Sequence, residues 1–193
     1  MNEKVFPHSK WEKLVNKDRE EILNRDKFFE IAELNKNEVW ADFGCGPGYF
    51  TLPLATKVKK VYAIDISDEM LNVCRKRAEE NSIYNIEYIN SDGNLSAVKS
   101  NSIEKLLIVN VLHELNNREN LVREMNRVLK IKRKVFVIDW KYEELDLGPP
   151  LEHRITSQQV VHDFITNGFT FIQNWDIYNY EYLLGFEKIK EIN

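Results

Sequence analysis

Asp42-Phe43-Gly44-Cys45-Gly46-Pro47-Gly48 lies between a short apolar run, Val39 to Phe43, and a helical pattern near Gly48 to Thr56. This arrangement predicts a strand, a tight turn and a helix start. Glycine lacks a side chain, so Gly44, Gly46 and Gly48 let the chain turn sharply and let its backbone approach a ligand closely. The helix start behind them offers unpaired N–H groups at a positive dipole end, a setting suited to a carboxylate. Taken alone, the segment reads equally well as a strand-to-helix turn that binds nothing.

Working outward, short apolar runs alternate with longer amphipathic ones. Strands are predicted near Val39–Phe43, Val61–Asp65, Ile86–Asn90, Lys105–Asn110 and Val135–Asp139, with helices near Gly48–Thr56, Ser67–Asn81 and Arg118–Lys130. Such alternation signals a parallel α/β sheet whose right-handed crossovers place the strands' carboxyl ends, and any ligand, along one edge. Asp146–Thr156 contains Gly148-Pro149-Pro150 and reads as a loop, Ser157–Asn167 as a helix, and Phe169–Asp176 with Tyr180–Phe186 as a terminal antiparallel hairpin. Helix-start signals at Ser9 with Glu12 and Asp18 with Glu21 make residues 1–37 a helical N-terminal cap on a core spanning 38–193, all in a single domain.

Acidic residues follow the next two strands. Asp65 ends the second strand seventeen positions beyond Gly48, where a carboxylate accepts hydrogen bonds from both hydroxyls of a ribose. Its plainer role is to cap the helix beginning near Ser67. Asp92, in Ser91-Asp92-Gly93, follows the third strand and suits an adenine amino group, or a simple turn. Three ligand-type positions at three successive strand ends favour a binding site over coincidence.

The ordered set resembles the class I S-adenosylmethionine-dependent methyltransferases, in particular the small type 11 branch that includes ubiquinone/menaquinone-biosynthesis-like enzymes. The resemblance covers nearly the whole chain. It implies a Rossmann-like, doubly wound, mostly parallel seven-stranded sheet with S-adenosylmethionine as cofactor. Asp42, Gly44, Cys45, Gly46 and Gly48 would hold the methionine end, Asp65 the ribose, Asp92 with Gly93 the adenine side, Ile66 and Met70 the adenine faces, and Asn110 the pocket beyond the fourth strand. Met70 also suits a core position and Asn110 a strand end.

Val109-Asn110-Val111-Leu112-His113-Glu114 resembles the family's fourth motif, which borders the transferred methyl group. His113 is the candidate general base, since imidazole titrates near neutrality, and equally a structural hydrogen-bonding residue. Gly148–Arg154 resembles a loop over the acceptor site, which makes His153 and Arg154 candidate substrate contacts. Trp140, Lys141, Phe6, Trp11 and Phe28 are candidate pocket or cap residues and, more simply, packing.

Composition narrows the partners. A net charge of -4 gives no general attraction for nucleic acid phosphates and favours a small-molecule acceptor. The two cysteines, Cys45 and Cys74, form neither a disulfide framework nor a metal site, and they are too few for the arsenic-holding set of arsenite-methylating relatives. With no apolar run of spanning length, the expected compartment is the cytoplasm. Two other readings remain: a non-catalytic S-adenosylmethionine sensor, and a nicotinamide-dependent oxidoreductase. The latter would want a third glycine where Tyr49 stands.

Overall fold

Strands β1 (Val39–Phe43), β2 (Lys60–Asp65), β3 (Ile86–Asn90), β4 (Ile103–Val109), β5 (Leu129–Trp140), β6 (Phe169–Trp175) and β7 (Glu181–Lys188) form one sheet in the order β3-β2-β1-β4-β5-β7-β6. The computed structural model describes residues 6–91 and 94–192. The first five strands pair in parallel, and β7 runs antiparallel to both β5 and β6. Strand order therefore reverses between β1 and β4, which opens a crevice at their carboxyl ends, where open α/β sheets bind ligands.

Helices α1 (Lys17–Ile22), α2 (Arg25–Ala32), α3 (Thr51–Ala55), α4 (Asp68–Glu80), α5 (Arg118–Val128) and α6 (Ser157–Thr166) cover the sheet. Short 3-10 turns occur at His8–Leu14, Leu112–Glu114 and Leu151–His153. Burial explains the placement. In α5, Leu121, Val122, Met125 and Val128 recur on one helical face and enter a core shared with Ile108, Val137, Phe164 and Phe186. On the sheet's other side, Phe28 of α2 meets Trp40, Phe50 and Phe136 edge-on at ring-centroid distances of 6.4, 5.8 and 5.3 Å, and Trp40 stacks on Phe136 at 6.2 Å.

Two boundaries differ from expectation. β5 begins at Leu129 rather than near Val135, because Leu129 pairs with Ile103 before the register shifts to Lys105 with Lys134. The exposed Ile131-Lys132-Arg133 stretch reads like a helix end but lies in this irregular strand, with Lys132 at a left-handed φ of 59°. The helix after the glycines starts at Thr51 and not at Gly48, since the intervening residues complete the turn.

A buried cation fastens the N-terminal helices to the sheet. Lys105, on β4, donates from Nζ to the carbonyls of Ala32 and Glu33 at 2.8 and 2.9 Å and pairs with Glu38 at 2.9 Å. Those carbonyls end α2, where a helix leaves acceptors unpaired and its dipole favours positive charge. Lys105→Met should leave two carbonyls without their donor and Glu38 with only the Trp40 indole, and lower the unfolding free energy by about 3 kcal/mol. Urea denaturation checks this; an unchanged midpoint would show that the cap does not depend on Lys105.

Candidate functional site

The glycine turn joins β1 to α3 at the carboxyl edge of the sheet. Gly44 and Gly46 have φ of 73° and 51°, in the left-handed region that side chains disfavour. A Cβ on Gly44 would lie 2.2 Å from Val111 Cγ2, so the turn packs directly against the segment leaving β4. Gly46 is different. Among the described residues a Cβ there would meet only Leu14 Cδ1, at 3.7 Å, so its backbone borders the N-terminal helices.

Asp65 orients this turn. Its Oδ2 accepts a hydrogen bond from Gly46 N at 2.8 Å and its Oδ1 one from Ser67 N at 2.9 Å. The carboxylate has about four lone-pair sites and three backbone N–H groups approach it, so acceptor capacity remains for a ribose hydroxyl. Burial raises the Asp65 pKa, and the three backbone N–H groups of Ser67, Gly46 and Ile66 oppose the shift. Ser67, not Asp65, caps α4: its side chain accepts from Met70 N at 3.2 Å.

Asp42, near the end of β1, is almost wholly covered and accepts from Thr51 Oγ1 at 2.6 Å. Burial pushes its pKa up to about 7, Thr51 offsets part of that rise, and the nearby Asp65 adds to it. Cys45 is buried beside Cys74, and both are free thiols. Ile66 stands exposed just past β2, while Met70 is buried on α4. Asp92 and Gly93 lie outside the described residues.

Beyond β4, Asn110 adopts a φ of 54°, and its N–H donates to Ile138 O at 2.8 Å. His113 then folds back onto the end of β5. Its Nδ1 lies 2.6 Å from Asp139 Oδ1 and its backbone N 3.3 Å from Oδ2, with the residue only 7% exposed. Burial opposes protonation of His113, but the Asp139 carboxylate outweighs it and the pKa is raised. Nε2 is the ring nitrogen outside this pair. Glu114 accepts from Phe6 N at 3.3 Å, and burial lifts its pKa to about 7.

The two loop candidates part company. Arg154 is buried and donates to the carbonyls of Pro149, Lys141, Glu143 and Leu147 at 2.8 to 3.1 Å, so its guanidinium fastens the loop beyond β5 instead of facing a substrate. His153 lies in the short turn before it, half-buried, with its N–H bonded to Pro150 O. Sequence reasoning passed over Asp139, Arg19 and Glu181, because their neighbours come from distant strands and helices and no local motif marks them.

A family model described as a methyltransferase domain matches residues 41–137, from within β1 to within β5. The chain belongs to this family, the S-adenosylmethionine-dependent methyltransferases of the type 11 kind. A solved S-adenosylmethionine-dependent methyltransferase from Aquifex aeolicus superimposes with a TM-score of 0.89 at 26% identity, over 96% of this chain and 100% of that one. A protein from Sulfolobus solfataricus described as a type 11 methyltransferase gives a TM-score of 0.69 at 25% identity, over 91% and 94%. An uncharacterised RNA methyltransferase of Clostridium tetani is 37% identical over 75 residues, which make up 39% of this chain and 16% of that protein. The chain thus spans under a fifth of that curated relative.

S-adenosylmethionine is the cofactor of this methyltransferase family, and the residues present fit it: an open glycine backbone at Gly46, acceptor positions on Asp65 and a buried carboxyl at Asp42. The family match does not bear on the His113–Asp139 pair, which titration can test. Because its folded pKa is raised, the pair's stabilisation is fully present below the ordinary histidine pKa and lost as pH rises through the raised one. In Asp139→Asn, burial acts on His113 with its main opposing charge gone, and the imidazole pKa should fall below that of the wild type. NMR titration of the ring nitrogens reads the change directly; coincident curves would remove Asp139 as its cause.

Proposed function

We propose that this protein transfers the methyl group of S-adenosylmethionine to a small-molecule acceptor. The observation that carries the reading is the contact between the two halves of the cofactor motif, with the Asp65 carboxylate aligned on the Gly46 N–H and acceptor capacity left for a ribose hydroxyl. In this reading Asp42, Gly44, Cys45, Gly46 and Gly48 surround the methionine end, Asp65 holds the ribose, and Ile66 with Met70 flanks the adenine. Asn110 borders the pocket, and Asp92 and Gly93 take the adenine side by resemblance.

The sulfonium already activates its methyl group, so the protein's task is to align the acceptor and exclude water. His113, held by Asp139, is the candidate base for an acceptor that must lose a proton. A small acceptor accords with the net charge of -4. It accords also with an edge that gathers the acids Asp42, Asp65, Glu114 and Glu181, a poor setting for a phosphate backbone, which is bound by clustered lysines and arginines. The RNA methyltransferase relatives match too little of their own length to transfer their substrate here. The free thiols of Cys45 and Cys74 suit the reducing cytoplasm, where we place the protein.

Calorimetry with S-adenosylhomocysteine, the demethylated product, tests the cofactor roles. Asp65→Ala should weaken binding by about 10- to 100-fold, the worth of charged hydrogen bonds to a diol. Unchanged affinity in a folded variant rejects the ribose role. Asp42 must ionise to hold the ligand's ammonium, so affinity should fall as pH drops below about 7, and Asp42→Asn should remove that part of the slope. The sign agrees with linkage: the raised pKa of Asp42 stabilises the free protein at low pH, and that contribution is lost as pH rises through the folded value. An identical pH slope in the variant would clear Asp42 of the role.

A further inference from the structure

Glu181 opens β7 opposite Trp140, which places it at the carboxyl edge of the sheet one strand beyond β5. Its side chain is fully buried, and neither carboxyl oxygen has a hydrogen-bond partner among the described residues. Asn110, past the end of β4, stands beside it: its side-chain oxygen and nitrogen are both covered and short of full hydrogen-bond geometry, while its amide is near enough to Glu181 to favour the ionised acid. Arg19, on α1, supplies the matching cation. Its Nε is covered and unpartnered, and its guanidinium forms no ion pair with Glu181 although the two interact across the gap.

These groups do not meet by accident of a loose terminus. The link between α1 and α2 is held from both sides: Tyr49, just past the glycine turn, donates from its hydroxyl to Leu23 O, and Tyr178, just before β7, donates to Asn24 O, each at 2.8 Å. Arg25 reinforces the hold, stacking 4.6 Å over the Tyr49 ring and donating to Tyr49 O. The cap is thereby fixed with Arg19 inward. A buried polar atom without a partner costs free energy, and here five such atoms lie on three residues, a cation, an amide and an acid.

We propose that Arg19, Asn110 and Glu181 form the acceptor subsite, and that it takes a small molecule carrying a hydroxyl or amine beside a carboxylate. The inference rests on the methyltransferase reading above. Arg19 offers its planar fork to the acceptor's carboxylate, Asn110 fixes orientation through donor and acceptor together, and Glu181 takes the nucleophile's hydrogen bond. In the transfer, the nucleophile's lone pair forms the bond to the methyl carbon as the carbon–sulfur bond breaks, its electrons remaining on sulfur. The nucleophile's proton passes to the Glu181 carboxylate, which here takes the base's part and leaves His113, held by Asp139, to orient the acceptor. Burial raises the Glu181 pKa to about 7, with Arg19 opposing, so near neutrality it can serve as either acceptor or donor of that proton.

The test uses the full chain with isotope-labelled S-adenosylmethionine and a panel of hydroxy- and amino-carboxylates, each beside its methyl ester. At least one acid should be methylated, at a rate about tenfold or more above its ester. Arg19→Gln should erase that preference, and Glu181→Gln should lower kcat about 100-fold while S-adenosylhomocysteine affinity holds. Because the glutamine substitution removes a buried unpaired carboxyl, the thermal midpoint of Glu181→Gln should stay level or rise, and a clear fall would mark Glu181 as structural and overturn the proposal. It is equally overturned if S-adenosylhomocysteine binds yet no acid is turned over, or if esters match their acids. Failure of S-adenosylhomocysteine to bind would instead strike the cofactor reading itself.

Discussion

The hydrogen bond from Gly46 N to Asp65 Oδ2, 2.8 Å long, ties the ends of β1 and β2 together and sets the shape of the edge on which everything else is built. The parallel sheet brings those ends side by side, with Phe43 registered against Ile64. Gly44 N and Cys45 N then both bond to Ile64 O, at 2.7 and 3.0 Å, so the turn is anchored to β2 by backbone as well as by side chain. A residue with a Cβ at Gly44 could not take this course without displacing Val111 and, with it, the segment that carries Asn110 and His113. The glycine turn and the segment beyond β4 are therefore mechanically linked through one contact.

The cap depends on the same edge from above. Phe28 enters the aromatic cluster of Trp40, Phe50 and Phe136, and dispersion among close-packed rings fixes its position. Polar contacts fix its orientation, through Lys105 at the end of α2 and through Tyr49 and Tyr178 at the turn between α1 and α2. Apolar contacts tolerate sliding, whereas hydrogen bonds to particular carbonyls do not. That division explains how so short a helical segment can present Arg19 to the strand ends.

What was legible in the sequence was local. Strand, glycine turn and the acid at Asp65 are read from residue type and spacing, and the five parallel strands with a terminal antiparallel pair follow from periodicity and punctuation. What escaped depends on tertiary neighbours. Arg154 looks like a ligand cation until four carbonyls from its own loop surround it. Asp139 looks like an ordinary strand residue until His113 comes back from the turn beyond β4 to meet it. The start of β5 was hidden because its first residues are charged and irregular, and pairing with β4 overrides their helical pattern.

The electrostatics of the edge follow from the same assembly. Asp42, Asp65, Glu114 and Glu181 come from four different elements, and in each burial is the largest cause of a raised pKa. Desolvation disfavours the charged form of each acid, so the folded chain holds them at a cost that a hydrophobic edge would not carry. A cationic ligand changes that balance. The sulfonium and ammonium of S-adenosylmethionine favour ionised carboxyls near them, so its binding would release protons and make the acids competent to accept hydrogen bonds. An edge unfavourable in isolation is thus suited to a positively charged cofactor, and this matching of sign, more than the glycines themselves, separates the site from one made for a dinucleotide's pyrophosphate.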